Sequence, residues 1–451
     1  MDIGNLGYIG RSRMRMMLPC AVLLVAQIAG SQANAQSTGA QDTFPRLGGY
    51  QIGGWAYGHN EQRLNDIAKL DIAVIQLFVD HKVDGYSIAD ITSYLKSRNP
   101  ELKLLQYVII NEVSQTYSSF QEIRDKVSRE KGANGKSDWY ARNAAGDHVW
   151  EWPGTWMLNF TDHTTPDANG ERLPEWLADW FSEQYFEVGG QWDGFFIDVM
   201  NIEPQKDLDW DTDGVDDSRY SSEVVDKYTA GQMAFYNRFL QRYPNFIGMG
   251  NITDWQIAQN PRPEHYNKTV MGGLIEGIAG FSWSQESWGG FDSMMDTYNR
   301  GIDATEDFVF FHVHGNRTDY RFMRYTLASC LMNDGYYTHT TSDSYDDQAW
   351  FDEFDVELGR AMDPPQTSPW SNGVYRRVFE NGVVLVNPRG NGTQTVDVGS
   401  GLKRFSGTQD PSHNNGSSVT ALTLAAADGI ILMGENSSGP DVPKPKPPIL
   451  E

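Results

Sequence analysis

Two carboxylates, each closing an apolar run, carry the chemistry legible in this chain. Trp192-Asp193-Gly194-Phe195-Phe196-Ile197-Asp198-Val199-Met200 reads as a strand covered on both faces, because Phe195, Phe196 and Ile197 are apolar without alternation and Gly194 permits close packing. Asp198 falls where that strand meets solvent. Gly272-Gly273-Leu274-Ile275-Glu276 repeats the pattern downstream. Two carboxylates at two strand ends are what cleavage of a glycosidic bond needs: one attacks the anomeric carbon or activates water, the other protonates the leaving oxygen. Asp198, on a short stem at a rigid strand end, is assigned as nucleophile. Glu276, whose Gly- and Ile-rich surroundings favour the protonated form, is assigned as acid/base. The reverse assignment stays open, as does Glu112, Glu203, Asp254 or Glu286 as the second carboxylate. One such residue alone could equally cap a strand or the helix after it; the pair within a repeating pattern is what favours chemistry.

Other residues fit around that pair. Asn251 is a candidate for a substrate hydroxyl beside the nucleophile. His312 and His314, alternate residues of one strand, share a face; they suit sugar hydroxyls, or a metal pair that lacks a third ligand at a convincing spacing. Trp55, Tyr57, His59 and Glu112, with Trp283 and Trp288 after Glu276, are further substrate-binding candidates. Aromatic faces stack on the apolar faces of sugars, although most aromatics are simply core. Asp207-Leu208-Asp209-Trp210-Asp211-Thr212-Asp213-Gly214-Val215-Asp216-Asp217 has the alternating Asp and the Gly of a calcium loop, with Asp209, Asp211, Asp213 and Asp217 as ligands. Tyr220 stands where the closing bidentate Glu belongs, and Glu223 is the nearest substitute. Calcium there would brace the loop after Asp198; a hydrated acidic loop, or one that recognises a cationic sugar, are the other readings. No cofactor is required for the chemistry itself.

The elements that must position these residues alternate between strand and helix patterns, the signature of a parallel sheet. Eight strands are predicted, at residues 50–57, 72–77, 102–110, the run ending in Asp198, 245–250, 273–277, 307–313 and 334–339. They predict a (β/α)8 TIM barrel over residues 46–365, whose chemistry belongs at the C-terminal ends of the strands. The long, aromatic-rich stretch between the third and fourth strands reads as a cleft-building insertion, or else as a decoration with its own small core. From Val374 the texture changes to short strands. Val374–Asn387 reads as a hairpin turned at Asn381-Gly382, opening a small antiparallel β-sandwich domain over residues 370–435. Residues 436–451 read as a proline-rich tail, extended and disordered.

A net charge of −24 over 451 residues argues against a nucleic-acid partner. Trp 14, Tyr 21 and Phe 21 give mild support to a carbohydrate partner. Residues 1–35 read as a secretory signal: Arg11, Arg13 and Arg15, an apolar stretch Leu18–Ile28 too short to span a bilayer, and Ala33-Asn34-Ala35 before Gln36. A short leader, residues 36–45, follows. The expected location is secreted or periplasmic, with no membrane span. Cys20 lies inside the signal, so Cys330 alone would remain, and its apolar neighbours suggest a packed thiol.

The segments Trp192–Met200, Met157-Leu158-Asn159-Phe160-Thr161-Asp162 and Trp350–Gly359, with the closing hairpin and Asn387-Pro388, resemble the hypothetical glycoside hydrolases that join a barrel to a C-terminal β domain. The resemblance runs from about Tyr50 to Met433. It implies a glycoside hydrolase acting on a polysaccharide or oligosaccharide by a retaining mechanism. It is also similar to the α-galactosidase-like clan, which carries an Asp on strand four and a carboxylate on strand six, and this supports Asp198 and Glu276 in their roles. The alternatives are a non-catalytic carbohydrate-binding protein on the same scaffold and a transglycosylase or lyase. The sugar, the linkage and the oligomeric state are not written in the sequence.

Overall fold

A computed structural model describes residues 43–53, 61–252, 270–305, 308–341 and 345–435. Eight parallel strands form one sheet: β1 (Gly48–Gln51), β2 (Ile72–Ile75), β3 (Lys103–Val108), β6 (Gly194–Ile197), β7 (Ile247–Asn251), β8 (Gly272–Ala279), β9 (Phe308–His314) and β10 (Tyr336–Thr340). The last meets the first through a parallel bridge between Leu47 and Tyr337, where Tyr337 N donates to Arg46 O at 2.9 Å. The sheet is thus a (β/α)8 barrel. The first strand begins two residues before its predicted start and spans Gly48–Gln51, with Tyr50 beside Phe196 and Tyr107 in the barrel interior. Residues 54–60 lie outside the described residues.

The pleat sorts the apolar runs. Phe196 points into the barrel with Leu105, Tyr107, Met249 and Leu274. Its neighbours Phe195 and Ile197 face the outer helices. This is why the segment before Asp198 carries no polar alternation: both faces are buried. On the outside, Phe195 packs against Phe239 at 4.7 Å between ring centres, from the helix Ser222–Arg242. Ser221 caps that helix, its hydroxyl accepting from Val224 N at 3.2 Å.

The insertion after β3 begins with β4 (Glu112–Ser114), which pairs antiparallel with β5 (Thr155–Met157). It has a small core of its own, in which Ala141 and Met157 meet Leu208, Trp210 and Val224 from beyond Asp198.

The C-terminal region is a five-stranded antiparallel sheet in the order β11 (Tyr375–Val378), β12 (Gly382–Asn387), β15 (Asp428–Gly434), β13 (Gln394–Arg404), β14 (Ser418–Leu424). The hairpin between β11 and β12 exists, but its turn is Glu380-Asn381, one residue earlier than predicted: Phe379 and Gly382 bond to each other as a strand pair. Gly382 serves close approach instead, since a Cβ there would lie 2.3 Å from Leu432 O. Buried arginines join sheet to barrel. Arg324, in the helix Tyr320–Cys330, pairs with Asp428 at 3.1 Å and with Asp410. Arg377 pairs with Asp334 at 2.6 Å. Cys330 is buried, with Tyr298 Oη at 3.6 Å. Among the described residues no helix is long and apolar enough to cross a membrane.

Candidate active site

Asp198 is the first residue past β6, and its N–H still donates to Val108 O at 2.9 Å, so the strand fixes its backbone. The next residue, Val199, has φ +52°, a conformation that a β-branched side chain rarely adopts. That turn lets Val199 N donate to Asp198 Oδ1 at 2.8 Å. Tyr107, on the neighbouring β3, donates to Asp198 Oδ2 at 2.5 Å. Burial first, then the charge of Asp198, push the Tyr107 hydroxyl far above its ordinary pKa, so it remains a donor.

Glu276 lies within β8, two strands away, and faces the same side. Its Oε1 accepts from Tyr345 Oη at 2.7 Å and its Oε2 from Asn251 Nδ2 at 2.8 Å. The same Asn251 nitrogen donates to Asp198 Oδ1 at 3.2 Å. Because the two bonds share one atom, the two carboxylate oxygens lie no more than about 6 Å apart. Burial, and next the charge of Asp198, raise the pKa of Glu276 above the usual carboxylate range, while the hydrogen bonds from Tyr345 and Asn251 oppose the rise. One carboxyl of the pair is therefore biased toward holding a proton.

The structure thus brings together Asp198, Asn251 and Glu276. It adds three tyrosines absent from the sequence reading: Tyr107, Tyr345 and, edge-on between them, Tyr50, with ring centres 6.3 Å and 5.3 Å away. Tyr107 had a faint signal, a polar-tipped ring at an inward position of an apolar strand. Tyr345 had none, because a loop from beyond β10 delivers it.

The remaining candidates divide. His312 is wholly buried; burial lowers its pKa to about 3, and its Nε2 meets Thr340 Oγ1 at 3.2 Å, so it is a neutral residue packed under Tyr50 and Tyr345. His314 stacks on Phe281 at 4.7 Å, and Phe281 in turn on Trp283 at 4.4 Å. Trp283, 43% exposed, lies across Gly277, where a Cβ would meet its ring at 2.1 Å. That puts a half-open aromatic stack one residue from Glu276. Trp288 is exposed on the following helix, Gln285–Ala304. Glu112 is buried under the insertion, accepting from Glu151 N at 2.5 Å and Trp152 N at 3.4 Å, so it supports a loop. Glu286 pairs with Arg389 of the C-terminal sheet at 2.7 Å. Trp55, Tyr57, His59 and Asp254 lie outside the described residues.

In the acidic loop, Asp209, Asp211 and Asp217 bring carboxylate oxygens within 4.8 Å of one another. Asp213 is apart from them, exposed, with its Oδ1 accepting from Val215 N at 2.8 Å. Glu223 turns toward His163 instead. Asp209 Oδ1 is buried and accepts no hydrogen bond, and burial, with the charges of Asp211 and Asp213, raises the Asp209 pKa. Oxygen ligands with one orphaned acceptor suit a hard cation. Among the described residues, His312 and His314 join no group of three ligating side chains.

A profile of the hypothetical glycosyl hydrolase family 15 matches residues 96–383, well over half of the chain. No curated protein matches the sequence. Among solved structures, an alpha-amylase from Lactobacillus plantarum superposes with a TM-score of 0.49 at 11% identity, covering 86% of this chain and 98% of its own. The glycoside hydrolase domain of PelA from Pseudomonas aeruginosa gives 0.41 at 13% identity, covering 67% and 97%. Aspergillus fumigatus Ega3 in complex with galactosamine gives 0.35 at 15%, covering 64% and 82%.

Proposed function

Since the chain belongs to the hypothetical glycosyl hydrolase family 15, we propose that it cleaves glycosidic bonds by a retaining mechanism with Asp198 and Glu276 as the reacting pair. The observation that carries this is the single Asn251 nitrogen bonded to both carboxylates. One oxygen of each carboxylate lying within about 6 Å of the other is compatible with the spacing of retaining enzymes, whose carboxyls stand about 5–5.5 Å apart, where inverting ones need about 6.5–9.5 Å for a water. Asp198, oriented by Val199 N and Tyr107, attacks the anomeric carbon. Glu276, its proton held by burial and by its charged neighbour, protonates the departing oxygen. Once the covalent glycosyl intermediate has formed, Glu276 takes a proton from water, which hydrolyses it. Asn251, Trp283 and the stack behind it are the groups placed to contact sugar.

Calcium is the cation that Asp209, Asp211 and Asp217 suit, in a structural role away from the reaction. Residues 1–35 direct export on this reading, and the substrate is an external polysaccharide or oligosaccharide.

The test is a screen of the protein against polysaccharides, followed by NMR of the first anomer released. Retention is expected. Asp198→Asn and Glu276→Gln should each lower turnover about a thousandfold or more while the fold persists. Activity intact in either variant, or a first product of inverted configuration, would refute the assignment.

A further inference from the structure

Trp150 and Trp152 are about half exposed, at 50% and 54%, two residues apart on the insertion that follows β3. Isolated exposed aromatics need no explanation; a pair of indoles on a turn built to hold them does. The buried Glu112 carboxylate collects the N–H groups of Glu151 and Trp152 from below. Thr155 N and Oγ1 both donate to Trp152 O, at 3.2 and 2.7 Å, and Gln115 N donates to Gly154 O at 2.8 Å. The turn is also tied to the loop that leaves Asp198. Lys206 Nζ donates to Trp150 O at 2.5 Å, and Val149 packs on the cluster where Met157 meets Leu208 and Trp210. The turn that carries both indoles is thus tied to the loop that leaves Asp198, on the insertion that follows the C-terminal end of β3.

We propose that Trp150 and Trp152 form a platform that binds a carbohydrate chain beyond the bond being cleaved, so that the preferred substrate is a polymer. The proposal rests on the glycosidase reading only for its location; the platform itself is a binding site. Flat indole faces match the apolar faces of pyranose rings, and a turn whose backbone is held before binding reduces the ordering cost. Trp283, beside Glu276, supplies an aromatic surface close to the reacting pair, while Trp150 and Trp152 extend recognition outward.

The experiment is affinity electrophoresis through gels containing soluble starch, galactomannan, xylan, chitosan or alginate, on the Asp198→Asn background so that no polymer is consumed. The Trp150→Ala/Trp152→Ala pair should lose retardation by at least about tenfold in apparent affinity. Its melting temperature should fall only slightly, since both rings are half exposed and the bonds that hold the turn do not involve them. In the active protein the same pair should raise KM for the polymer with kcat preserved, and leave cleavage of the corresponding disaccharide unaltered. Tryptophan-dependent retardation without hydrolysis would sink the glycosidase reading and keep the platform. Hydrolysis of a polymer with KM unaffected by the double substitution would sink the platform and keep the glycosidase. Retardation by none of the five polymers would also overturn it.

Discussion

At the scale of residues, the site is defined by what surrounds each carboxylate. Val199 is held at φ +52°, which costs a residue bearing a Cβ about 1–2 kcal/mol that glycine does not pay. Val199→Gly should therefore exceed Val199→Ala in unfolding free energy by about 1 kcal/mol, read from urea denaturation, yet turn over more slowly because Asp198 loses its fixed aim. Equal stability of the two variants would remove strain from the account. Tyr345 acts on the other carboxylate. Its hydroxyl stabilises the ionised form of Glu276 and so lowers that pKa, against the rise caused by burial and Asp198. In Tyr345→Phe the opposing bond is gone, the pKa climbs, and the alkaline limb of the kcat profile should move to higher pH; a shift to lower pH would contradict the arrangement. The sequence made Asp198 and Glu276 conspicuous because each ends or interrupts an apolar run. Tyr345 was invisible because its partner is 69 residues away and reaches it only through barrel closure.

Elements carry a different lesson. The barrel strands were legible because a strand buried on both faces carries few polar residues, which apolar runs such as Phe195–Ile197 display directly. The hairpin turn was misplaced by one residue because glycine signals both turns and close strand contacts, and Gly382 does the second. The acidic loop is an element whose fold and charge conflict: Asp209, Asp211 and Asp217 converge, yet Trp210 N and Gly214 N offset only part of their repulsion. The calcium reading then gives a measurable outcome. Millimolar calcium should raise the melting temperature, and Asp211→Asn should abolish the increase; an equal melting temperature in calcium and in chelator would leave the loop as a hydrated acidic turn.

Across the whole molecule, barrel and C-terminal sheet share buried charge. Arg324 is 3% exposed between the buried Asp428 and the half-buried Asp410, so truncating it takes the ion-pair partner from Asp428 and leaves Asp410 to Ser412 and His413. Arg324→Ala should cost about 3–5 kcal/mol in denaturant unfolding, whereas breaking a surface pair such as Arg360 with Glu380 should change stability little. None of this was readable in advance, since nothing in the chain marks an arginine as facing a domain yet to be placed. The ring of strands has its own weak point. Among the described residues, β10 meets the β1 edge through one bridge, at Leu47 just before β1, whereas β1 with β2 and β9 with β10 pair along four or more residues. Amide hydrogens along that seam should exchange with deuterium sooner than those of β6, making it the clasp at which the barrel first loosens on warming.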